Sequence, residues 1–186
     1  MGLEIYFATS NPHKYSEAKK LLLAKGIRLE HFRFIHNEIR SDSLTEIAKE
    51  AVEAAYGELK KPVFTEDTGL FIDPLNGFPG TYSGWVQKKL GCEGILKLLH
   101  GEKGRGATFR TSIAFHNGKA IHIFDGACKG KIAEKEMGES GFGYDPIFMP
   151  EGHIQTFAQN IELKNKLSHR YKTLSKLSEF LLKAYF

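Results

Sequence analysis

The stretch Leu3-Glu4-Ile5-Tyr6-Phe7-Ala8-Thr9-Ser10-Asn11-Pro12-His13-Lys14 decides the fold class. Leu3 to Ala8 is a short apolar run that ends at polar residues, which reads as a buried strand. A helix opens directly after it. Pro12 suits a first helical turn, because its missing N–H needs no partner there. Tyr15, Ala18, Leu21 and Leu22 then keep helical spacing, and Gly26 is the expected stop.

Outward from this stretch the pattern repeats. Arg28 to Ile35 reads as a second strand. Ser43-Leu44-Thr45-Glu46 has the form of a capping box. Leu44, Ile47, Ala48, Ala51, Ala54 and Ala55 form one apolar helix face behind it, and Lys61-Pro62 ends the element. Val63 to Thr65 reads as a third short strand with Glu66-Asp67 emerging at its end. Asn76-Gly77-Phe78-Pro79-Gly80 is a loop by its turn residues. Helical stretches are expected over Tyr82 to Leu90 and Glu93 to Leu99. Ala107 to His116 and Lys119 to Phe124 flank Asn117-Gly118, a strong hairpin signal. Ala127 to Ala133 is expected to continue the sheet. Leu174, Leu177, Leu181, Leu182 and Tyr185 place an amphipathic helix near the end. A β-α-β-α-β start followed by a hairpin predicts an α/β fold with a long mixed sheet. Residues 1–186 are read as one domain; if it has two lobes, the hinge is expected near residues 76–82.

Composition sets the class. A chain of 186 residues with 41% hydrophobic and 26% charged content is an ordinary globular protein with a sizeable core. The net charge of +4 favours an anionic substrate but is far from a dedicated nucleic-acid binder. Cys92 and Cys128 fit no redox or zinc spacing and read as reduced core thiols. No apolar stretch has transmembrane length and no signal-peptide pattern opens the chain, so a cytoplasmic location is expected.

Three polar groups carry the chemistry. Thr9 to Lys14 lies between a strand and a helix, where unpaired N–H groups and the helix dipole favour phosphate. It is not a P-loop, and taken alone an N-cap role for Ser10 or Asn11 explains it at least as well. Glu66 and Asp67 are adjacent carboxylates. On an extended chain they point to opposite sides, so one can face a metal while the other braces the loop or shares the site. Phe142, Tyr144, Asp145, His169 and Arg170 suit a purine, with rings to stack on and polar groups for its edge. Taken alone, core aromatics and a surface pair explain these as well.

Other patterns are set aside. Gly101, Gly104 and Gly106 precede a hairpin rather than open a helix, so they read as a flexible turn. The eight histidines show no paired metal spacing, and no nucleophile-elbow sequence is present.

Taken together, the motifs resemble the inosine triphosphate pyrophosphatases, also called XTP/dITP pyrophosphatases. The resemblance spans essentially the whole chain. It rests on Thr9-Ser10-Asn11-x-x-Lys14, Glu66-Asp67-Thr68-Gly69-Leu70, Leu75-Asn76-Gly77-Phe78-Pro79-Gly80, Phe142-Gly143-Tyr144-Asp145-Pro146 and Ser168-His169-Arg170. It implies hydrolysis of the non-standard purine nucleotides ITP, dITP and XTP to the monophosphate and pyrophosphate. It implies a divalent metal, usually Mg²⁺, with Mn²⁺ as an alternative. It implies an elongated fold with a long mixed sheet, a cleft between two lobes, and a homodimer; no nucleic-acid or membrane partner is expected. Carried over by motif, Thr9, Ser10, Asn11, Pro12, His13 and Lys14 hold the triphosphate, and Thr68 helps to place it. Asp67 is the catalytic carboxylate, and Glu38 and Asp67 touch the metal. Phe142, Gly143, Tyr144, Asp145, Lys164, His169 and Arg170 form the nucleoside pocket. Two positions depart from the pattern: Ala51 stands where many members carry lysine, and Tyr144 where others carry tryptophan.

The implied chemistry is attack of water on the α-phosphorus, helped mostly by positioning and charge neutralisation. One carboxylate does not readily serve as both inner-shell ligand and base. That leaves two readings of Asp67 and a role for Glu66 still open. Two rivals remain: the Maf-like nucleotide pyrophosphatases, which Ser168-His169-Arg170 disfavours, and a non-catalytic nucleotide- or RNA-binding module, which would need no acidic pair.

Overall fold

The computed structural model describes residues 4–185. Leu3, at the start of the expected first strand, lies outside the described residues. In chain order the elements are β1 (Ile5–Ala8), α1 (Pro12–Ala24), β2 (Leu29–Phe32), α2 (Leu44–Leu59), β3 (Val63–Ile72), a 3-10 turn (Asp73–Leu75), β4 (Pro79–Gly80), α3 (Ser83–Leu98), β5 (Gly106–His116), β6 (Ile121–Ile132), β7 (Phe148–Pro150), α4 (Ile161–Leu167) and α5 (His169–Tyr185).

Among the described residues seven strands form one sheet, in the order β2-β1-β3-β5-β6-β7, with β4 added to β3. β1 runs parallel to both β2 and β3, whereas β4 lies antiparallel to β3 and β7 to β6. The sheet is therefore mixed, as the β-α-β start and the later hairpin predict. Asn117 makes that hairpin: its side-chain oxygen accepts from the N–H groups of Lys119 (2.9 Å) and Ala120 (2.8 Å), and Gly118 takes a positive φ of 96°.

The chain divides into two compact units. The first comprises the described residues up to Asp67, Thr111–Gly126, and those from Arg170 on; the second comprises Thr68–Arg110 and Ala127–His169. In the first unit, Ala18 and Leu22 of α1 and Leu174, Leu177 and Leu181 of α5 pack with Ile5, Phe7, Phe64 and Phe115. Each leucine buried this way contributes about 1.5–3 kcal/mol. Ala48, Val52 and Ala55 of α2 pack in a separate cluster with Ala8, Val63 and Ala114. Val63 and Phe64 belong to different clusters because successive residues of a strand face opposite ways.

The second unit has one core. Val86, Cys92, Ile95 and Leu99 pack with Leu70, Ile72, Phe109, Ile132, Tyr144, Phe148 and Phe157. Gly91, at φ 64°, breaks α3 between the two helical stretches expected there.

Several features differ from those expected. β2 is shorter than Arg28 to Ile35. β3 does not stop at Thr65 but continues through Glu66, Asp67 and Thr68 to Ile72, so the acidic pair lies within a strand. The capping box closes through a third residue. Ser43 caps Glu46 N–H, but Glu46 Oε2 accepts from the Ser41 hydroxyl (2.7 Å), whose oxygen accepts Ser43 N–H (3.0 Å).

Candidate active site

The first unit brings the start of α1 and the acidic pair to the same end of the sheet. β1 pairs with β3 only at Val63 and Phe64, and ends at Ala8. Past the carboxyl end of β1, Thr9 to Asn11 therefore lie beside the stretch of β3 that carries Glu66 and Asp67. Open α/β sheets commonly bind ligands there.

Asn11 is the N-cap of α1. Its side-chain oxygen accepts from His13 N–H (3.0 Å) and Lys14 N–H (3.3 Å), and its own N–H donates to Thr9 Oγ1 (3.1 Å). Two of the helix's first amides are thus already capped. Ser10, Pro12 and His13 are exposed, while Thr9, Asn11 and Lys14 are half-buried. Lys14 Nζ donates to the backbone oxygen of Glu66 at 3.2 Å and lies 3.4 Å from Glu66 Oε1. The expected cation is therefore tied directly to the acidic pair.

The strand pleat separates the two carboxylates. Glu66 shares a strand face with Phe64 and turns toward α1 and α5. Arg170 Nε donates to both its carboxylate oxygens (3.0 and 2.9 Å), and Arg170 Nη2 donates to Oε1 (2.8 Å). Arg170 Nη1 donates to Glu17 Oε2 at 2.7 Å. Burial disfavours the guanidinium charge, but Glu66 and then Glu17 outweigh it, so the Arg170 pKa is raised and the group stays charged. Asp67 shares the opposite face with Thr65, whose hydroxyl donates to Ala48 O of α2 at 2.7 Å. Asp67 Oδ2 is buried. Glu66 thus takes the bracing role among those the sequence left open. Ala51 is buried in α2, where a methyl group fits the core.

Mg²⁺ suits the expected donors. It takes oxygen ligands, usually one or two carboxylates with phosphates and waters. Asp67 and Glu38 are of this kind; Glu38 is exposed in the segment between β2 and α2. No group of three or more His, Cys, Asp or Glu able to hold a metal occurs among the described residues.

The second unit gathers the expected nucleoside residues except Arg170, which belongs to the first unit and is bound there to Glu66 and Glu17. Asp145 Oδ2 accepts from Lys164 Nζ (2.6 Å) and from Phe142 N–H (2.7 Å). The Lys164 ammonium lies 4.3 Å from the centroid of the Phe142 ring. Gly143 takes a positive φ of 65°, and its carbonyl accepts from Gln87 Nε2 (3.0 Å). Tyr144 is a core residue whose hydroxyl donates to Ser83 O at 3.2 Å, and burial pushes its pKa up. His169 stacks on Phe109, with centroids 4.5 Å apart and planes at 20°. Thr68 opens this unit, half-buried in β3.

Sequence reasoning missed Glu17 and Phe109. Glu17 follows Lys14 by three positions on α1, which puts the two on one helix face, a spacing that could have pointed to it. Nothing in the sequence sets Phe109 apart from a core aromatic.

A capped helix start, a tethered lysine and strand-borne carboxylates at one end of a mixed sheet define a class of phosphate-handling α/β enzyme. The chain belongs to the Ham1 family, which matches residues 5–180. It is 44% identical over 181 residues to a protein of Saccharolobus solfataricus named dITP/XTP pyrophosphatase, covering 97% of this chain and 94% of that one. A Methanopyrus kandleri protein of the same name is 46% identical over 181 residues, covering 96% of each. Among solved structures, a Ham1 protein from Coxiella burnetii superposes with a TM-score of 0.86 at 31% identity, covering 98% of this chain and 100% of that one. A Mycobacterium abscessus structure described as a nucleoside-triphosphatase and dITP/XTP pyrophosphatase gives 0.73 at 28% identity, covering 94% of this chain and 97% of that one. The family and the mixed α/β fold expected from the motifs are those found, and the chain is an enzyme of this family.

Proposed function

We propose that this chain is a Mg²⁺-dependent pyrophosphatase that hydrolyses ITP, dITP and XTP to the monophosphate and pyrophosphate. The observation that carries the reading is the contact of Lys14 with Glu66, next to Asp67 in β3 and just past the carboxyl end of β1, in a chain whose near full-length relatives are named dITP/XTP pyrophosphatase. Lys14 and the Thr9–His13 segment hold the phosphates. Phe142, Asp145, Lys164 and His169 are the residues for the nucleoside.

In the reaction the oxygen of water bonds to the α-phosphorus, the bond to the α,β-bridging oxygen breaks, and pyrophosphate leaves with its electron pair. Asp67 orients the water, and the proton released passes to it or to solvent. Lys14 neutralises charge that grows on the leaving pyrophosphate. Asp67 and Glu38 would hold Mg²⁺, which would supply further neutralisation of phosphate charge. Arg170 carries only donors, so at the C6 edge of a base it favours the carbonyl of hypoxanthine or xanthine over the amino group of adenine. The working form is a cytoplasmic homodimer.

The test is release of pyrophosphate, measured with ITP, dITP, XTP, ATP and GTP, with Mg²⁺ and with chelator. Hydrolysis of the first three, dependent on metal and with pyrophosphate rather than orthophosphate as product, is expected. Orthophosphate as the product, or a preference for pyrimidine nucleotides, would sink the reading.

A further inference from the structure

Lys14, Glu17, Glu66 and Arg170 form a charge-balanced cluster of two cations and two carboxylates drawn from α1, β3 and the start of α5. The Glu66 side chain has no solvent exposure and that of Arg170 has 3%, whereas Lys14 and Glu17 retain 17% and 22%. The buried pair is the fork formed by Arg170 Nε and Nη2 on Glu66. The half-exposed members sit at either end, with Lys14 on Glu66 and Glu17 on Arg170. Glu66 and Arg170 thus connect Lys14 to Glu17.

We infer that Glu66 is a positioning residue that holds Lys14 and Arg170 in fixed relation, and that Glu17 secures the Arg170 arm. The inference rests on the proposed function for the tasks of the two cations, but the coupling itself rests on the contacts. Two features argue for positioning rather than bulk stabilisation. A carboxylate 3.4 Å from the Lys14 ammonium lowers the local positive potential, which works against binding an anion. Yet the same carboxylate and its backbone oxygen fix where that ammonium sits, and misplacement of a charge-neutralising group costs turnover. Glu66 therefore gives up some ground-state affinity for phosphate and keeps alignment.

This predicts a split between KM and kcat. Glu66→Gln keeps the shape, removes the charge and loosens both cations. Its kcat for ITP is expected to fall roughly tenfold or more. Its KM, and the constant for competitive inhibition by inorganic tripolyphosphate, are expected to hold or fall, the pattern of lost ground-state opposition. A rise in either constant, or turnover within about twofold of wild type, overturns the inference. Glu17→Gln, at the more exposed end, is the second variant and carries the test if Glu66→Gln does not fold. It is expected to lower the ITP-to-ATP ratio of kcat/KM several-fold while tripolyphosphate inhibition stays within about twofold. An unchanged ratio, with melting temperature also unchanged, overturns the Glu17 assignment. If wild type binds tripolyphosphate but is inert on ITP, the proposed function fails instead. Calorimetry of tripolyphosphate binding to wild type and Glu66→Gln then reads the Lys14 coupling directly: unchanged or tighter binding supports it, and weaker binding overturns it.

Discussion

Lys164 Nζ donates to Asp145 Oδ2 at 2.6 Å, and both side chains are almost sealed from solvent, at 2% and 4% exposure. A buried pair of this kind is not by itself a source of stability, but breaking it is costly. Lys164→Met strands the Asp145 carboxylate in a buried site, with Phe142 N–H still donating to it, and should cost about 3–5 kcal/mol. Adding Asp145→Asn removes the stranded charge and keeps an acceptor for that N–H, so the double variant should recover part of the loss. Urea titration of the two single variants and the double checks this. Strict additivity would show that the two side chains are not coupled.

Asp67→Asn keeps the shape of the side chain and removes its charge. As the proposed catalytic carboxylate and metal ligand, Asp67 should lose roughly a hundredfold or more in turnover on substitution. KM for ITP should change far less, because Lys14 and the Thr9–His13 segment remain. Near-normal turnover of the variant with saturating Mg²⁺ would remove Asp67 from the mechanism.

The parts of the fold that were legible in the sequence are those where one local pattern decides. The apolar run into Pro12 sets β1 and α1, and Asn117-Gly118 sets the β5–β6 turn. β3 reads as shorter than it is because Glu66, Asp67 and Thr68 interrupt its apolar pattern, and a polar run inside a strand carries no alternation to follow. α4 left no apolar periodicity because its buried residue is Lys164. Its partner Asp145, nineteen positions away, makes that lysine acceptable. The candidate residues themselves were legible as a set of motifs. Their grouping was not, since the Glu66–Arg170 fork joins positions 104 residues apart, and no spacing rule reaches that far.

The first half of α3 and the loop before it leave large side chains uncovered. Trp85 is 64% exposed, and Phe78, Tyr82 and Leu90 are exposed with it. An aromatic-rich exposed patch is what the core of a protein interface offers. If this patch forms the homodimer, Trp85→Glu should place a charge in the contact and yield a monomer with an unchanged melting profile at low concentration. Light scattering at tens of micromolar reads the mass. A wild-type monomer under those conditions, or a variant that remains dimeric, removes the assignment.

His116 should make stability depend on pH in a defined direction. It closes β5 beside the hairpin turn, and its Nδ1 accepts the N–H of Gly118 at 3.0 Å. Its ring stacks on Tyr56, with centroids 3.7 Å apart and planes at 15°. Burial lowers its pKa, and Glu53 opposes this only in part. The hydrogen bond acts in the same direction as burial, because a protonated Nδ1 would turn a donor toward the Gly118 donor. The folded state therefore binds this proton less readily than the unfolded chain, whose histidine titrates near an ordinary value of about 6.5. The contribution to stability is complete above that value and is lost as pH falls through the lower folded value. The melting temperature should thus decline between about pH 7 and pH 5. His116→Phe keeps a ring against Tyr56 but cannot titrate, so the decline should be shallower in the variant. Melting curves at half-unit pH steps for both proteins decide it, and parallel declines would show that His116 does not carry the dependence.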